Sequence, residues 1–287
     1  TGLKDVGLTR VGDTISDSLS VSPLAGYKTI TPMVFAGVFP INNNDYPRLR
    51  EALEKLRLND ASLSFDAENS EALGFGFRCG FLGLLHMDVI RERLEREYNL
   101  SLILSAPSVK YEVSLTNGET LEIESPTKLP DHTQIQEVRE PIVMAVIITT
   151  EVYLGKMIEL VNARRGTINN VDYLDEIAGD RRVKISAIIP LAEIITDFFD
   201  KLKSLSSGYA SLDYEISGSV RVDAVKLDIL VAGSVGDALA RIVPKEHAER
   251  LGRELVERLR GVVPRQQFEV AIQAAIEMRD GLLLLLV

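Results

Sequence analysis

Residues 73–90 read LGFGFRCGFLGLLHMDVI and bring together four glycines, the chain's single cysteine and one of its three histidines. Glycine at this density cradles phosphate where a strand opens into a helix; a thiol with an imidazole serves nucleophilic catalysis or holds zinc. The spacing speaks against each. Gly74-x-Gly76 followed by Gly80 is GxGxxxG, not the dinucleotide GxGxxG, and no GxxxxGK[ST] loop occurs anywhere. Cys79 and His86 have no second ligand pair, because His132 and His247 fall in other modules and no CxxC or HxxxH is present. A lone cysteine is a nucleophile only where its surroundings lower its pKa. The structural reading explains more: glycine turns a strand sharply into a helix, Phe75, Phe77 and Phe81 bury one sheet face, and Arg78 is left free for a partner.

The elements around this stretch follow a definite order. TITPMVFAGVF (29–39) reads as a strand, and NNDYPRLREALEKLRL as a helix with Asp45 as N-cap, Pro47 in the first turn and Leu49, Leu53 and Leu56 on one face. ASLSF and ALGFGFRC are strands either side of the polar turn DAENS. A helix from about residue 82 to 98 carries Ile90, Leu94 and Tyr98, and LSLILSAPSVKYEV closes the module as a strand. This is βαββαβ, the ferredoxin-like sandwich. EVSLTNGETLEI is a hairpin turning at Asn117-Gly118, and ESPTKLPDHTQ is a Pro-broken connector. The same order then returns. EPIVMAVIITT is a strand; Leu154, Ile158 and Val161 stripe a helix that Gly166 ends as a left-handed cap. TINNVDYL pairs with RRVKISAIIP; Ile194, Phe198 and Leu202 stripe a helix ended by Gly208, and YASLDYEI is the last strand. After Gly218 a strand, a charged helix and a strand make a third, incomplete unit.

The chain has 287 residues and a formal net charge of −10, with 32 Lys and Arg against 42 Asp and Glu. That balance disfavours a uniformly basic nucleic-acid binder, so RNA contact requires local patches. One cysteine excludes an internal disulfide and fits a reducing compartment. No stretch approaches the ~20 apolar residues of a membrane span; the closing GLLLLLV is too short. With Thr1 where Met would begin a natural chain, and opening strands that lack partners, the sequence reads as part of something longer.

ALGFGFRCGFLGLLHMDVIRERLEREYNL, preceded by EALEKLRLNDASLSF, closely resembles the elongation factor 4 (LepA) family of translational GTPases. TEVYLGKMIELVNARRGTI and IPLAEIITDFFDKLKSLSSGYASLDYEI resemble the sandwich that this family shares with elongation factor G. RELVERLRGVVPRQQFEVAIQAAI resembles the start of its C-terminal domain. The resemblance runs from Gly2 to Ile276. It implies an α+β chain with two ferredoxin-like βαββαβ sandwiches in series and a truncated LepA-type C-terminal domain. Residues 1–22 are then the end of the domain II β-barrel, 23–113 a domain III-like sandwich, 114–138 a hairpin and connector, 139–218 a domain V-like sandwich and 219–287 the C-terminal domain. Such factors bind the ribosome, touching rRNA, tRNA and ribosomal proteins, and remodel tRNAs; back-translocation and fidelity of protein synthesis under stress are the roles proposed.

Two departures stand out. There is no Walker A loop, DxxG or NKxD, so GTP and Mg belong by resemblance to a G domain outside these residues, and the chain is expected to hold no cofactor or metal and to have no catalytic residue. MRDGLLLLLV also replaces the family's glycine and Lys/Arg-rich tail and reads as a truncation or unrelated sequence. The resemblance raises Arg164, Arg165 and Gly166, at a helix end, as the best ribosome contact. Ser206, Ser207, Gly208 and Tyr209 form a second loop, Lys201 and Lys203 lie on the adjoining helix, and Arg265 is a weaker candidate. Arg78 and His86 are candidates for the interface with the factor's own G domain, or for local capping of the strand–helix junction. The expected protein is a monomer in the cytoplasm, with a peripheral membrane association reported for the family. The competing classes are a protein–protein or effector-binding module of paired ferredoxin-like domains, and a thiol or metal enzyme centred on Cys79.

Overall fold

In the computed structural model the chain divides into two units, residues 1–106 and 107–287. The structure describes residues 14, 16–18, 21, 22, 31–177, 180–263, 271–278 and 281–286. The barrel strands expected in residues 1–22 lie almost wholly outside them.

In the first unit β1 (Val34–Pro40), α1 (Tyr46–Asn59), β2 (Ser64–Ser70), β3 (Gly74–Phe81), α2 (Leu84–Tyr98) and β4 (Leu102–Leu104) follow the βαββαβ order. The antiparallel sheet runs β2-β3-β1-β4, the ferredoxin-like arrangement. Leu49, Leu53 and Leu56 of α1 and Ile90 and Leu94 of α2 close on Ala36, Val38, Phe77, Cys79 and Phe81. Two local expectations change. DAENS is not a turn but most of β2, an edge strand that tolerates polar residues, and the turn falls at residues 71–73. Asp45 precedes α1 without capping it; the Asn42 side chain instead accepts from the Asn44 N–H at 3.1 Å, in the 3-10 turn that leads in.

The glycines of the opening stretch are packing devices. Phe35 and Phe39 are buried on the face of β1 away from the helices. A Cβ on Gly80 would lie 2.9 Å from the Phe35 ring, and one on Gly76 only 2.4 Å from the Phe39 ring. Glycine on one strand gives the ring of the next a place to lie. Phe77 and Phe81 fill the helix-side core as expected, whereas Phe75, at the start of β3, is exposed and leans on Tyr46.

In the second unit β5 (Tyr111–Leu115) and β6 (Thr120–Ile123) form the hairpin around Asn117-Gly118, with Gly118 at φ +88°. Then come β7 (Ile135–Thr150), α3 (Leu154–Ala163), β8 (Thr167–Ile177), β9 (Asp180–Pro190), α4 (Leu191–Ile194), α5 (Phe198–Leu205) and β10 (Ser211–Val222). The sheet order is β6-β5-β7-β9-β8, with β10 on the other edge of β7. The hairpin therefore extends this sheet: Val113 pairs with Val138, and KYEV does not close the first module. Met157, Leu160 and Val161 of α3 and Phe198 and Leu202 of α5 are buried over the sheet residues Val143, Ala145, Ile147, Val183, Ile185, Ala187 and Ile189.

The same unit ends in β11 (Ala224–Val231), β12 (Ser234–Val235), β13 (Arg241–Pro244), α6 (Lys245–Val262), β14 (Ile272–Met278) and β15 (Gly281–Leu286). The sheet runs β12-β11-β14-β15, with β13 also on β11 and α6 across one face. The leucine run is built into this sheet. It pairs with β14 from Met278↔Gly281 to Gln273↔Leu286, with Leu285 buried and Leu282 and Leu284 exposed, the alternation of a strand with one covered face.

Candidate functional site

Arg78 and His86 are both turned inward. Arg78, expected to be free for a partner, is buried on the sheet, 3.8 Å from the Glu68 carboxylate and 3.5 Å from Ser105 Oγ. A buried guanidinium requires such company. His86 Nδ1 accepts the Leu82 N–H at 3.0 Å, and its Nε2 lies 2.7 Å from Asp60 Oδ2, so the ring ties the strand–helix junction to the end of α1. Burial pushes the Asp60 carboxyl up, but hydrogen bonds from Ser62 and His86 outweigh it and hold it below the usual range. Burial pushes the Cys79 thiol well above the range of reactive cysteines.

The helix layer of the second sandwich holds the other candidates. The turn before α3 meets the loop after α5, and the end of α3 meets the start of α5, so the helices are antiparallel. The two loops singled out as ribosome contacts therefore sit at opposite ends of the layer, separated by the ten residues of α3, or about 15 Å.

At one end α3 stops in Arg164-Arg165-Gly166. The left-handed residue is Arg165, at φ 55°, and not Gly166. Gly166 is needed for another reason: a Cβ there would lie 2.6 Å from Val161 Cγ1 and 2.9 Å from the Val161 carbonyl. The turn sends Arg165 back onto β7, where its two Nη groups fork onto Glu140 at 2.5 and 2.9 Å while its Nε donates to Glu193 at 2.7 Å. Arg164 reaches Glu193 at 3.5 Å and Asp197; Lys201 reaches Asp197 at 3.0 Å. Three cations thus meet three carboxylates, one of them the fully enclosed Glu140, 2% exposed. Burial pulls the Arg165 guanidinium down, but the two carboxylates outweigh it and raise it further above its ordinary value. The arginines expected to point at phosphate are spent on closing the fold.

At the other end Ser206, expected to contact RNA, is also internal. Its Oγ donates to the Leu202 carbonyl at 2.7 Å and accepts the Ala210 N–H at 3.0 Å, pinning α5 to β10. Ser207 and Gly208 follow in the left-handed region, at φ 51° and 85°. This turn lifts Tyr209 outward, 64% exposed. Its ring lies parallel to Tyr153 at 6.2 Å and 17°. Lys156 Nζ stands 5.7 Å from the Tyr153 ring, and Lys203 Nζ 4.4 Å from the Phe199 ring. This end offers two stacked phenols and the Lys156 ammonium, with no carboxylate paired to it among the described residues; the Lys203 ammonium folds back over Phe199, at the start of α5. Tyr153 and Lys156 were not singled out in the sequence; the signal was their place in EVYLGK, at the start of the helix antiparallel to the one ending at SSGY. Arg265 lies outside the described residues.

The chain carries the C-terminal part of a translation factor: residues 137–230 match the family model for the elongation factor G C-terminus, and residues 231–280 that for the GTP-binding protein LepA C-terminus. Over 276 residues, 96% of its length, the chain is 56% identical to elongation factor 4 of Symbiobacterium thermophilum. It is 55% identical to the elongation factor 4 proteins of Streptococcus agalactiae serotype III and Streptococcus thermophilus strain LMD-9. The chain belongs to the elongation factor 4 family, and it spans 45% of the length of these relatives.

Proposed function

We propose that this chain is the ribosome-binding part of an elongation factor 4, and that its second sandwich meets RNA through the tyrosine end of the helix layer. The observation that carries this reading is the exposed Tyr209–Tyr153 pair with the Lys156 ammonium over the Tyr153 ring. Phenol rings offer a face to any unstacked base, and ammonium groups meet the adjoining phosphates. An overall acidic chain gains affinity for RNA only through such a local patch. In the whole factor this contact serves the remodelling of tRNAs on the ribosome, with GTP and magnesium held by the G domain; these proteins work where ribosomes do, in the cytoplasm. Among the described residues no helix is long and apolar enough to cross a membrane.

Co-sedimentation with bacterial ribosomes across a salt series tests the reading. Binding should weaken as salt rises and weaken further in Tyr209→Ala and Lys156→Ala. Binding that ignores salt and both substitutions, or dimerisation and small-ligand binding without ribosomes, sinks it in favour of a protein or effector module.

A further inference from the structure

The β8–β9 hairpin is longer than the helix layer that covers it. β8 leaves the arginine end at Thr167, and at ~3.3 Å per residue Tyr173 stands roughly 20 Å along it, past the ~15 Å that α3 spans. Overhang of this kind leaves the Tyr173 ring 51% exposed. The register fixes its place. Thr149 of β7 opposes Val183 of β9, and Val183 opposes Tyr173 of β8, so the three lie in one row on one face. Val183 is fully buried beneath the helices, which makes this the helix side of the sheet. At ~4.8 Å between strands, Tyr173 is about 10 Å across the row from Thr149. Tyr153 follows Thr149 closely, in a turn that packs on β9. The exposed part of the hairpin therefore lies at the tyrosine end, on the same side of the sheet as the Tyr209–Tyr153 pair.

Arg181, next but one to Val183 along β9 and so on the same face, holds its guanidinium 4.9 Å from the Tyr173 ring centre. A guanidinium held over a ring is pre-organised: its forked N–H groups suit phosphate oxygens, and its plane, like the ring's, accepts a base. Arg57 stands over Phe65 at the same distance, but that ring packs on the core of the first unit. We propose that Tyr173 and Arg181 are a second stacking step on the RNA surface of this sandwich and, resting on the ribosome-binding reading, that its ligand is a single strand of RNA crossing from the Tyr209–Tyr153 pair to the hairpin. A gap on the order of 10 Å is bridged by about three stacked nucleotides at ~3.4 Å each. Duplex RNA keeps its base faces in its own stack, so two sets of rings at this spacing fit an unpaired run and not a helix.

Co-sedimentation with ribosomes across a salt series reads the contact. Tyr173→Ala should weaken binding roughly 5- to 100-fold, the loss of one base–aromatic stack. Tyr173→Phe keeps the ring and should bind as the wild type does. Arg181→Gln should flatten the log–log salt slope by about 1, one phosphate contact. Both side chains are exposed, so all three variants should keep the wild-type thermal midpoint, and the Arg181→Gln slope decides if Tyr173→Ala does not fold. Oligouridylate of about ten nucleotides, within the range such surfaces cover, should release the chain from ribosomes where duplex RNA of the same length does not. Equal release by the duplex, or release by neither, overturns the single-strand assignment. Tyr173→Phe as weak as Tyr173→Ala overturns the stacking step. If Tyr209→Ala weakens binding while Tyr173→Ala and Arg181→Gln match the wild type, the second step alone is overturned. A wild type that does not bind ribosomes, or Tyr209→Ala that binds as well as it does, overturns the function proposed above and this contact with it.

Discussion

The two ends of the helix layer in the second sandwich look alike in sequence, each a helix end with basic residues running into a glycine, yet the fold uses them in opposite ways. At the end of α3 every cation has a carboxylate partner and the glycine is a packing requirement. At the tyrosine end Lys156 stands over an aromatic ring, the glycine sets a left-handed turn, and a tyrosine faces solvent. Basic character therefore does not mark an RNA contact until its counter-charges are known. Electrostatically the arginine end is close to neutral, and the tyrosine end is where unneutralised charge and stacking area coincide.

The sharpest way to break this comparison is to remove Arg165. Arg165→Ala strands the buried Glu140 carboxylate and should destabilise the chain by about 3–5 kcal/mol. Tyr209→Ala, on an exposed ring, should stay within about 0.5 kcal/mol. Equilibrium denaturation measures both. Equal, small effects would mean that the arginine end is open and available after all.

The next largest effect should appear in binding. Tyr209→Ala should weaken ribosome affinity by about 1–3 kcal/mol, the range for losing one base–aromatic stack. The stabilities of the two proteins should match in the same denaturation assay. If Arg164→Ala weakens binding more than Tyr209→Ala while leaving stability intact, the two ends have been assigned the wrong way round.

Much of this fold was legible because its signals are local. The leucine spacing of α1, the Asn-Gly turn of the hairpin and the repeated βαββαβ order all reside in windows of a few residues. What escaped depends on distant pairing. Glu140 stands 25 residues before Arg165, in a strand whose apolar run draws the eye past it, and only the sheet register brings the two together. Ser206 and Arg78 were misjudged for the same reason, since polar side chains at loops and strand ends read as surface until their partners are placed. Tyr153 and Lys156 could have been found: antiparallel helices oblige the residues before one to meet those after the other. The DAENS turn was lost to an edge strand, where polarity carries no information about turning.

The two glycines give a smaller, complementary contrast. Gly166→Ala drives a methyl group into Val161 and should cost about 1–3 kcal/mol, partly relieved by Val161→Ala, which removes Cγ1 but not the carbonyl. Gly208→Ala meets no atom within 4 Å and should cost about 1 kcal/mol from its left-handed conformation alone. It gains nothing from Val161→Ala. A double-mutant comparison at the two positions separates steric from conformational causes, and equal rescue at both would undo the distinction.

The smallest effect concerns pH and belongs to the arginine end alone. Burial pushes the Asp197 carboxyl up, but hydrogen bonds from Lys201 and Arg164 outweigh this and hold it below the usual carboxylate range. A carboxyl lowered by folding binds its proton less readily in the native state than in the unfolded one. Its stabilisation is therefore complete above the unfolded Asp value of about 3.9 and is lost as pH falls through the lower native value. Asp197→Asn should flatten the stability profile in that acid window and leave it parallel to wild type at neutral pH. Asp197 is half exposed and Lys201 lies in solvent, so screening keeps the change small. Asp60→Asn makes the independent control, because His86 and Ser62 lower that carboxyl in the other unit. Additive flattening in the double variant would confirm two separate titrations, whereas a wild-type profile in Asp197→Asn would mean that Asp197 contributes nothing to the charge closure of the arginine end.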